Sequence, residues 1–300
     1  AKGEFEKIGL EGKFFDLNGL EFYDKVNLLK GGIIFSDFIN TVSPTYAEEI
    51  QTKEFGFGLE GLLKERKSVL SGILNGIDYS VWDPDTDEFI LQNFSADCLE
   101  FKALNKEDLQ KACGLPVNRN IPVLGMVSRL AEQKGFDIFA RSLDEICKMD
   151  LQLVILGTGD LKYHRILKTF AKNGTHPQKF SLSLKFDDPL AHKIYAGSDI
   201  FLMPSQYEPC GLGQLISLRY GTIPLVFKTG GLADTIDKNN GFVFADYTKE
   251  ALQKIIQKAV LAFENKDKWN RLITNAMECN FSWKASADKY IRLYAKAKEK

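Results

Sequence analysis

Between Ile121 and Phe244 short apolar runs alternate with stretches of helical spacing, and this alternation constrains the chain more than any other feature. Strands are expected at 122–127, 152–156, 180–186, 200–203, 224–227 and 241–244, with helices near 136–149, 161–172, 190–197, 213–220 and 249–264. Parallel strands need long crossovers that pack back as helices, so the pattern implies an α/β fold with a parallel sheet covered on both faces. At 300 residues and 44% hydrophobic content, the chain can bury a large core.

The flanking regions read differently. Residues 1–73 hold one convincing strand, at 32–42, and helices near 21–29 and 44–51, too little to close a sheet of their own. Residues 78–118, with Trp82-Asp83-Pro84-Asp85, read as an irregular connector that ends in a short helix before the next domain's first strand. After Ser282, the residues Ala287, Tyr290 or Ile291, Tyr294 and Ala297 share one helical face, which is expected to pack on something apolar.

Thirty-nine basic against forty acidic side chains leave a formal charge of -1. That balance provides no footprint for nucleic acid or an anionic membrane surface, and an uncharged partner such as a glycan fits better. Five scattered cysteines without CxxC spacing indicate neither a disulfide framework nor a zinc site, which makes a reducing cytoplasm the simplest setting. No run approaches the roughly 18 apolar residues of a membrane span.

Residues 204–221 concentrate the chemistry. Glu208 follows the apolar run 200–203, so it is expected at the carboxyl edge of the sheet, where open α/β folds bind ligands. Gly211, Leu212 and Gly213 come next, and their amides at a helix start favour an anion such as phosphate. Arg129 and Lys134, five positions apart beyond the first strand of the alternation, can reach one diphosphate as a planar fork and a point charge. The same pair also reads as a solvated loop.

Two glycine turns follow strands. Gly157 and Gly159 read as serving a tight turn, whereas Thr229, Gly230 and Gly231 permit close approach of the backbone to a sugar or phosphate. Neither turn is a G-x-G-x-x-G dinucleotide fingerprint. Asp83 to Asp87 fails as a calcium loop because Glu88 and Phe94 stand where glycine and glutamate belong. His164, His176 and His192 lack metal-ligand spacing, His192 reading as a hydrogen-bonding residue near the site, and no metal is expected. Cys210 lies two residues after Glu208 with no histidine beside it in sequence, which favours a packing thiol over a nucleophile.

Ser128-Arg129-Leu130 with Gln133-Lys134-Gly135, Pro204-Ser205 through Glu208-Pro209-Cys210-Gly211-Leu212, and Thr229 to Thr235 resemble the bacterial glycogen synthases and plant starch synthases. Thr41 to Ala47, Gly58 to Gly61 and Gly72 to Asp78 extend the resemblance, in order, over nearly the whole chain. The resemblance implies a GT-B architecture of two Rossmann-like domains: 1–73 as the last part of an acceptor-side domain, 74–283 as the nucleotide-sugar domain, and 284–300 as a helix crossing back to the first. It implies retaining transfer of glucose from ADP-glucose to the non-reducing end of an α-1,4-glucan, without metal or other cofactor, in the cytoplasm or a plastid stroma.

By the same resemblance, Arg129 and Lys134 would neutralise the departing diphosphate, Gly211 to Gly213 would hold it, and Glu208 would position the sugar. Asn75 would contact glucose, Phe186 would stack on the base, and Cys210 and Thr229 to Gly231 would complete the substrate site. Ile216 stands where many GT-B enzymes place a second glutamate, which favours the glycogen synthase branch, and Gly213 replaces an expected hydroxyl residue. The family's Lys-x-Gly-Gly-Leu loop and His-Asn segment do not occur in these 300 residues, so little activity is expected of this chain alone. A sucrose-type synthase of the same fold and a noncatalytic nucleotide-sugar or glucan-binding module are the rival readings, and the choice between ADP-glucose and UDP-glucose stays open.

Overall fold

The computed structural model describes residues 5, 7, 9–173 and 177–299. His176, considered above, lies outside them. The chain divides into two units, Ala1–Leu74 with Asp288–Lys300, and Asn75–Ala287.

In the smaller unit, β1 (Glu21–Phe22) and β2 (Lys25–Val26) form an antiparallel hairpin where a helix near 21–29 is expected. The turn residues Tyr23 and Asp24 adopt φ of 50° and 59°, the left-handed pair that suits the twist of a two-residue hairpin. A helix, Leu28–Phe35, then starts where the Asn27 side chain accepts from the Lys30 amide at 3.0 Å. The expected strand at 32–42 is therefore divided between the end of this helix and a short β3 (Ile39–Thr41), which pairs in parallel with β4 (Leu70–Gly72). A brief apolar run satisfies a helix face as well as a strand, and the cap at Asn27 decides between them. Helix Pro44–Glu49 begins as expected, with Ser43 Oγ accepting from the Tyr46 amide at 2.9 Å.

The larger unit contains six parallel strands: β5 (Val123–Val127), β6 (Gln152–Leu156), β7 (Phe180–Ser183), β8 (Ile200–Met203), β9 (Ile223–Phe227) and β10 (Phe242–Phe244). Their spatial order is β10-β9-β8-β5-β6-β7, so the chain winds from β5 to one edge and then returns to start β8 on the other side. This is a doubly wound sheet. The loops after β5 and β8 leave toward opposite faces, which opens a crevice at the carboxyl ends of these two neighbours. Val123, Leu153, Ile200, Phe201 and Leu225 are fully buried, as a sheet covered on both faces requires.

Helices Phe136–Lys148, Leu161–Lys172, Asp188–Gly197, Gly213–Arg219 and Lys249–Glu264 lie where periodicity places them. Two more, Gly230–Thr235 and Lys266–Met277, carry weaker signals because one opens on a glycine pair and the other is largely polar. The connector ends in a helix of 13 residues, Glu100–Ala112, longer than the short one expected. Its buried Lys102 Nζ donates to Ala196 O at 2.8 Å and Tyr220 O at 3.0 Å. One amine thereby serves the carboxyl ends of two helices, Asp188–Gly197 and Gly213–Arg219, although burial pushes its pKa down to about 7.

The irregular part of the connector is pinned by Asp87. Its Oδ2 accepts from Tyr220 Oη at 2.6 Å and lies 2.7 Å from His192 Nδ1, while the Trp82 ring stacks on His192 at 4.0 Å. His192 is thus the hydrogen-bonding residue expected, but it belongs to this anchor. In the terminal helix, Trp283–Lys298, the expected apolar face is not the covered one: Ile291 and Tyr294 are 63% and 62% exposed. The covered stripe is Ser286, Tyr290 and Leu293, spaced i, i+4, i+7, and Tyr290 Oη accepts from Asn40 Nδ2 at 3.1 Å.

Burial opposes ionisation of Asp87, but bonds from His192, Tyr220 and the Phe89 amide outweigh it and hold the carboxyl below its ordinary value of 3.8. A carboxylate depressed in this way stabilises the fold above its unfolded value and ceases to do so as pH falls through the folded one. Asp87→Asn should therefore cost roughly 2 kcal/mol at pH 7. In denaturant titrations across pH, the gap to the unaltered protein should be full at neutrality and close below about pH 4.

Candidate active site

The crevice between β5 and β8 holds a hollow of about 200 Å³, walled by Arg129, Lys134, Ser205, Glu208 and Gly211 to Gly213. Two loops form it. Gly135, at φ 78°, lets the loop after β5 press against the loop after β8, and a Cβ at this position would lie 2.0 Å from Pro204 O. Gln206 N donates to Gln133 O at 2.9 Å and stitches the same two loops together.

That contact brings Lys134 Nζ to 2.6 Å from Glu208 Oε2. Ser205 Oγ donates to the same oxygen at 3.1 Å. Glu208 is only 6% exposed, and a buried carboxylate is costly unless it is paired and hydrogen-bonded, as it is here. Arg129 stands on the exposed side of the hollow, with Nη2 donating to Gln133 Oε1 at 3.1 Å.

Gly211 has φ 73°, a left-handed turn that brings the chain from Glu208 into helix Gly213–Arg219. Gln214 Nε2 holds this turn from within, donating to Cys210 O at 2.9 Å and Gly211 O at 3.1 Å. Cys210 is buried, and burial raises its thiol despite a bond from the Asn75 amide, so it packs as a neutral side chain. Asn75 and Cys210 therefore touch each other and do not line the hollow. Thr229, Gly230 and Gly231 also lie behind it, with Gly231 N donating to Glu208 O at 3.0 Å.

A larger cavity of about 560 Å³ shares Val127, Ser128 and Arg129 with the hollow and extends past β6 and β7. Gly157, Thr158 and Gly159 form part of its wall, so the turn read as purely structural faces a cavity while the Thr229 turn packs behind one. His164 Nε2 accepts from Gly159 N at 3.1 Å and fixes this wall. Phe186 lies at the cavity with 87% of its surface exposed, between Lys185 and Asp187, which pair at 2.6 Å. An aromatic face this open, beside a cation-lined hollow, suits a flat ring attached to phosphates.

Ser205 belongs to the quoted motif, but motif reading assigns it no role. Its spacing of three from Glu208, in a turn opened by Pro204, was the available signal. Among the described residues, no group of three or more His, Cys, Asp or Glu is placed to hold a metal ion, and no helix is long and apolar enough to cross a membrane.

Comparison with known proteins agrees with this fold. Residues 1–65 match the starch synthase catalytic domain family and residues 108–278 match glycosyl transferases group 1. The structure superposes on the catalytic domain of starch synthase IV from Arabidopsis thaliana, bound to ADP and acarbose, with a TM-score of 0.93 and 35% identity. That match covers 100% of this chain and 64% of the other. A sucrose-phosphate synthase from Thermosynechococcus elongatus shares the fold at 18% identity, with a TM-score of 0.63 over 90% of this chain and 60% of its own.

A doubly wound sheet with its hollow at the switch point, matched by these structures, places the molecule in the GT-B class of glycosyltransferase folds. Glycogen synthases from Fervidobacterium nodosum and Thermosipho africanus are each 52% identical to it, over 97% of the chain and 61% of their own lengths. The chain belongs to the group 1 glycosyltransferases, and its similarity within them is to glycogen and starch synthases. It spans about 61% of the length of these curated relatives.

Gly135→Ala forces a side chain into left-handed backbone against Pro204 O, and should destabilise the larger unit by about 1–3 kcal/mol. Thermal denaturation and nucleotide titration together should show a lower midpoint and weaker binding, because the same contact seats Lys134 beside Glu208.

Proposed function

We propose that this chain forms the donor-binding part of a glycogen or starch synthase, which transfers glucose from ADP-glucose to the non-reducing end of an α-1,4-glucan with retention of configuration. The observation that carries the reading is the convergence of Arg129, Lys134 and Glu208, with the amides of Gly211 to Gly213, on one hollow beside an open aromatic ring. Adenine is the base we favour, because the starch synthase IV structure, at 35% identity, holds ADP. Its acarbose likewise supports a glucan acceptor.

Breaking the glycosidic bond to a nucleoside diphosphate creates an oxocarbenium-like sugar and a diphosphate anion together. Arg129 and Lys134 are fixed cations at the end where negative charge grows, and such preorganised charge stabilises the transition state more than the ground state. We assign charge neutralisation to these two side chains and propose that no divalent ion is required. In the donor complex Lys134 shifts its bond from Glu208 toward phosphate, while Ser205 keeps the carboxylate in place to accept sugar hydroxyls. The near-neutral formal charge of -1 and the five free cysteines support work on an uncharged polymer in the cytoplasm.

Steady-state kinetics with ADP-glucose and glycogen, measured in the complete enzyme, test the assignment. Arg129→Ala should lower kcat by about 100-fold or more with a smaller change in KM, the signature of a group that acts in the transition state. Unchanged turnover would remove Arg129 from the mechanism.

A further inference from the structure

The larger unit has another cavity, of about 450 Å³, that shares no wall residue with the two described above. It lies beside the edge strand β10, between helices Lys249–Glu264 and Lys266–Met277. Its floor is apolar, made by Phe242, Val243, Ile255 and Leu272. Its rim carries four cations, Lys238, Lys258, Lys268 and Arg271, and no lining residue bears a carboxylate.

Among the described residues, none of these four cationic groups enters an ion pair. A chain with a formal charge of -1 thus concentrates four positive charges around one concavity without a counter-ion of its own. Water screens exposed charges of this kind, but four of one sign around a concavity still raise the local concentration of anions there. The floor narrows the choice of anion. Phe242, Val243, Ile255 and Leu272 offer sugar hydroxyls no partner, so a bare sugar or glucan would leave the floor unmatched. A flat apolar body with phosphates attached would satisfy floor and rim together, and the volume is of the size used for small-molecule ligands.

We infer that this cavity is a second nucleotide site, with the base on the Phe242–Leu272 floor and the phosphates among Lys258, Lys268 and Arg271. It is distinct from the donor site and does not depend on the function proposed for it.

Equilibrium dialysis with ADP, UDP and adenosine separates the two sites. The protein should bind two equivalents of ADP or UDP, and adenosine should fail to fill the second. Lys258→Glu/Arg271→Glu should weaken one equivalent at least tenfold and leave the other unchanged. Arg129→Ala should have the complementary effect, so failure of either site is seen separately. All four rim cations are exposed, and Lys238→Glu/Lys268→Glu provides an independent pair should the first unfold. Whether the unaltered protein binds one equivalent or two, nucleotide binding that is indifferent to both charge-reversed pairs would overturn the inference, whereas a single equivalent lost with those pairs would leave it standing and count against the donor site alone.

Discussion

The contact between Lys134 and Glu208 is the constraint around which the larger unit is arranged. Two side chains 74 positions apart meet at 2.6 Å because β5 and β8 are neighbours in the sheet although three strands separate their loops in sequence order. The carboxylate is nearly buried, and a charge left without a partner at that depth is costly. Gly135 permits the loops to touch, and the bond from Gln206 to Gln133 locks them. The ion pair thus keeps a cation and an acid ready in one hollow, at the place where a doubly wound sheet opens to solvent.

Stability and site are supplied by different parts of the chain. The connector contributes nothing to the hollow, yet it buries Lys102 against two helix ends and Asp87 against Tyr220 and His192. Both groups are polar, buried and satisfied, which fixes where helices Asp188–Gly197 and Gly213–Arg219 lie. The second of these helices begins at Gly213, on the wall of the hollow. An anchor on the connector therefore sets the position of a wall it never touches.

Much of this was legible before any coordinates. The strands of the larger unit are buried on both faces, so they appear as continuous apolar runs separated by helices, and β6 and β8 coincide with their expected limits. Glu208, Arg129 and Lys134 were visible because each follows such a run at the edge where ligands bind. The smaller unit was less legible, since Ile33, Ile34 and Phe35 suit a strand as well as a helix, and only the cap at Asn27 with the left-handed pair at Tyr23 and Asp24 distinguishes them. That the Gly157 turn lines a cavity was hidden for another reason. Which turn reaches a cavity depends on how far neighbouring loops project, and no local spacing records that. Ser205 was hidden by chemistry, because a lone serine in a turn seldom announces the carboxylate it holds.

The most direct test of the central claim is an experimental structure of the protein with ADP bound. The diphosphate should lie between Arg129, Lys134 and the Gly211 to Gly213 amides, with adenine against Phe186 and the Lys134 ammonium turned from Glu208 toward phosphate. ADP seated elsewhere on the molecule, with the hollow unused and the Lys134 to Glu208 bond intact, would contradict it.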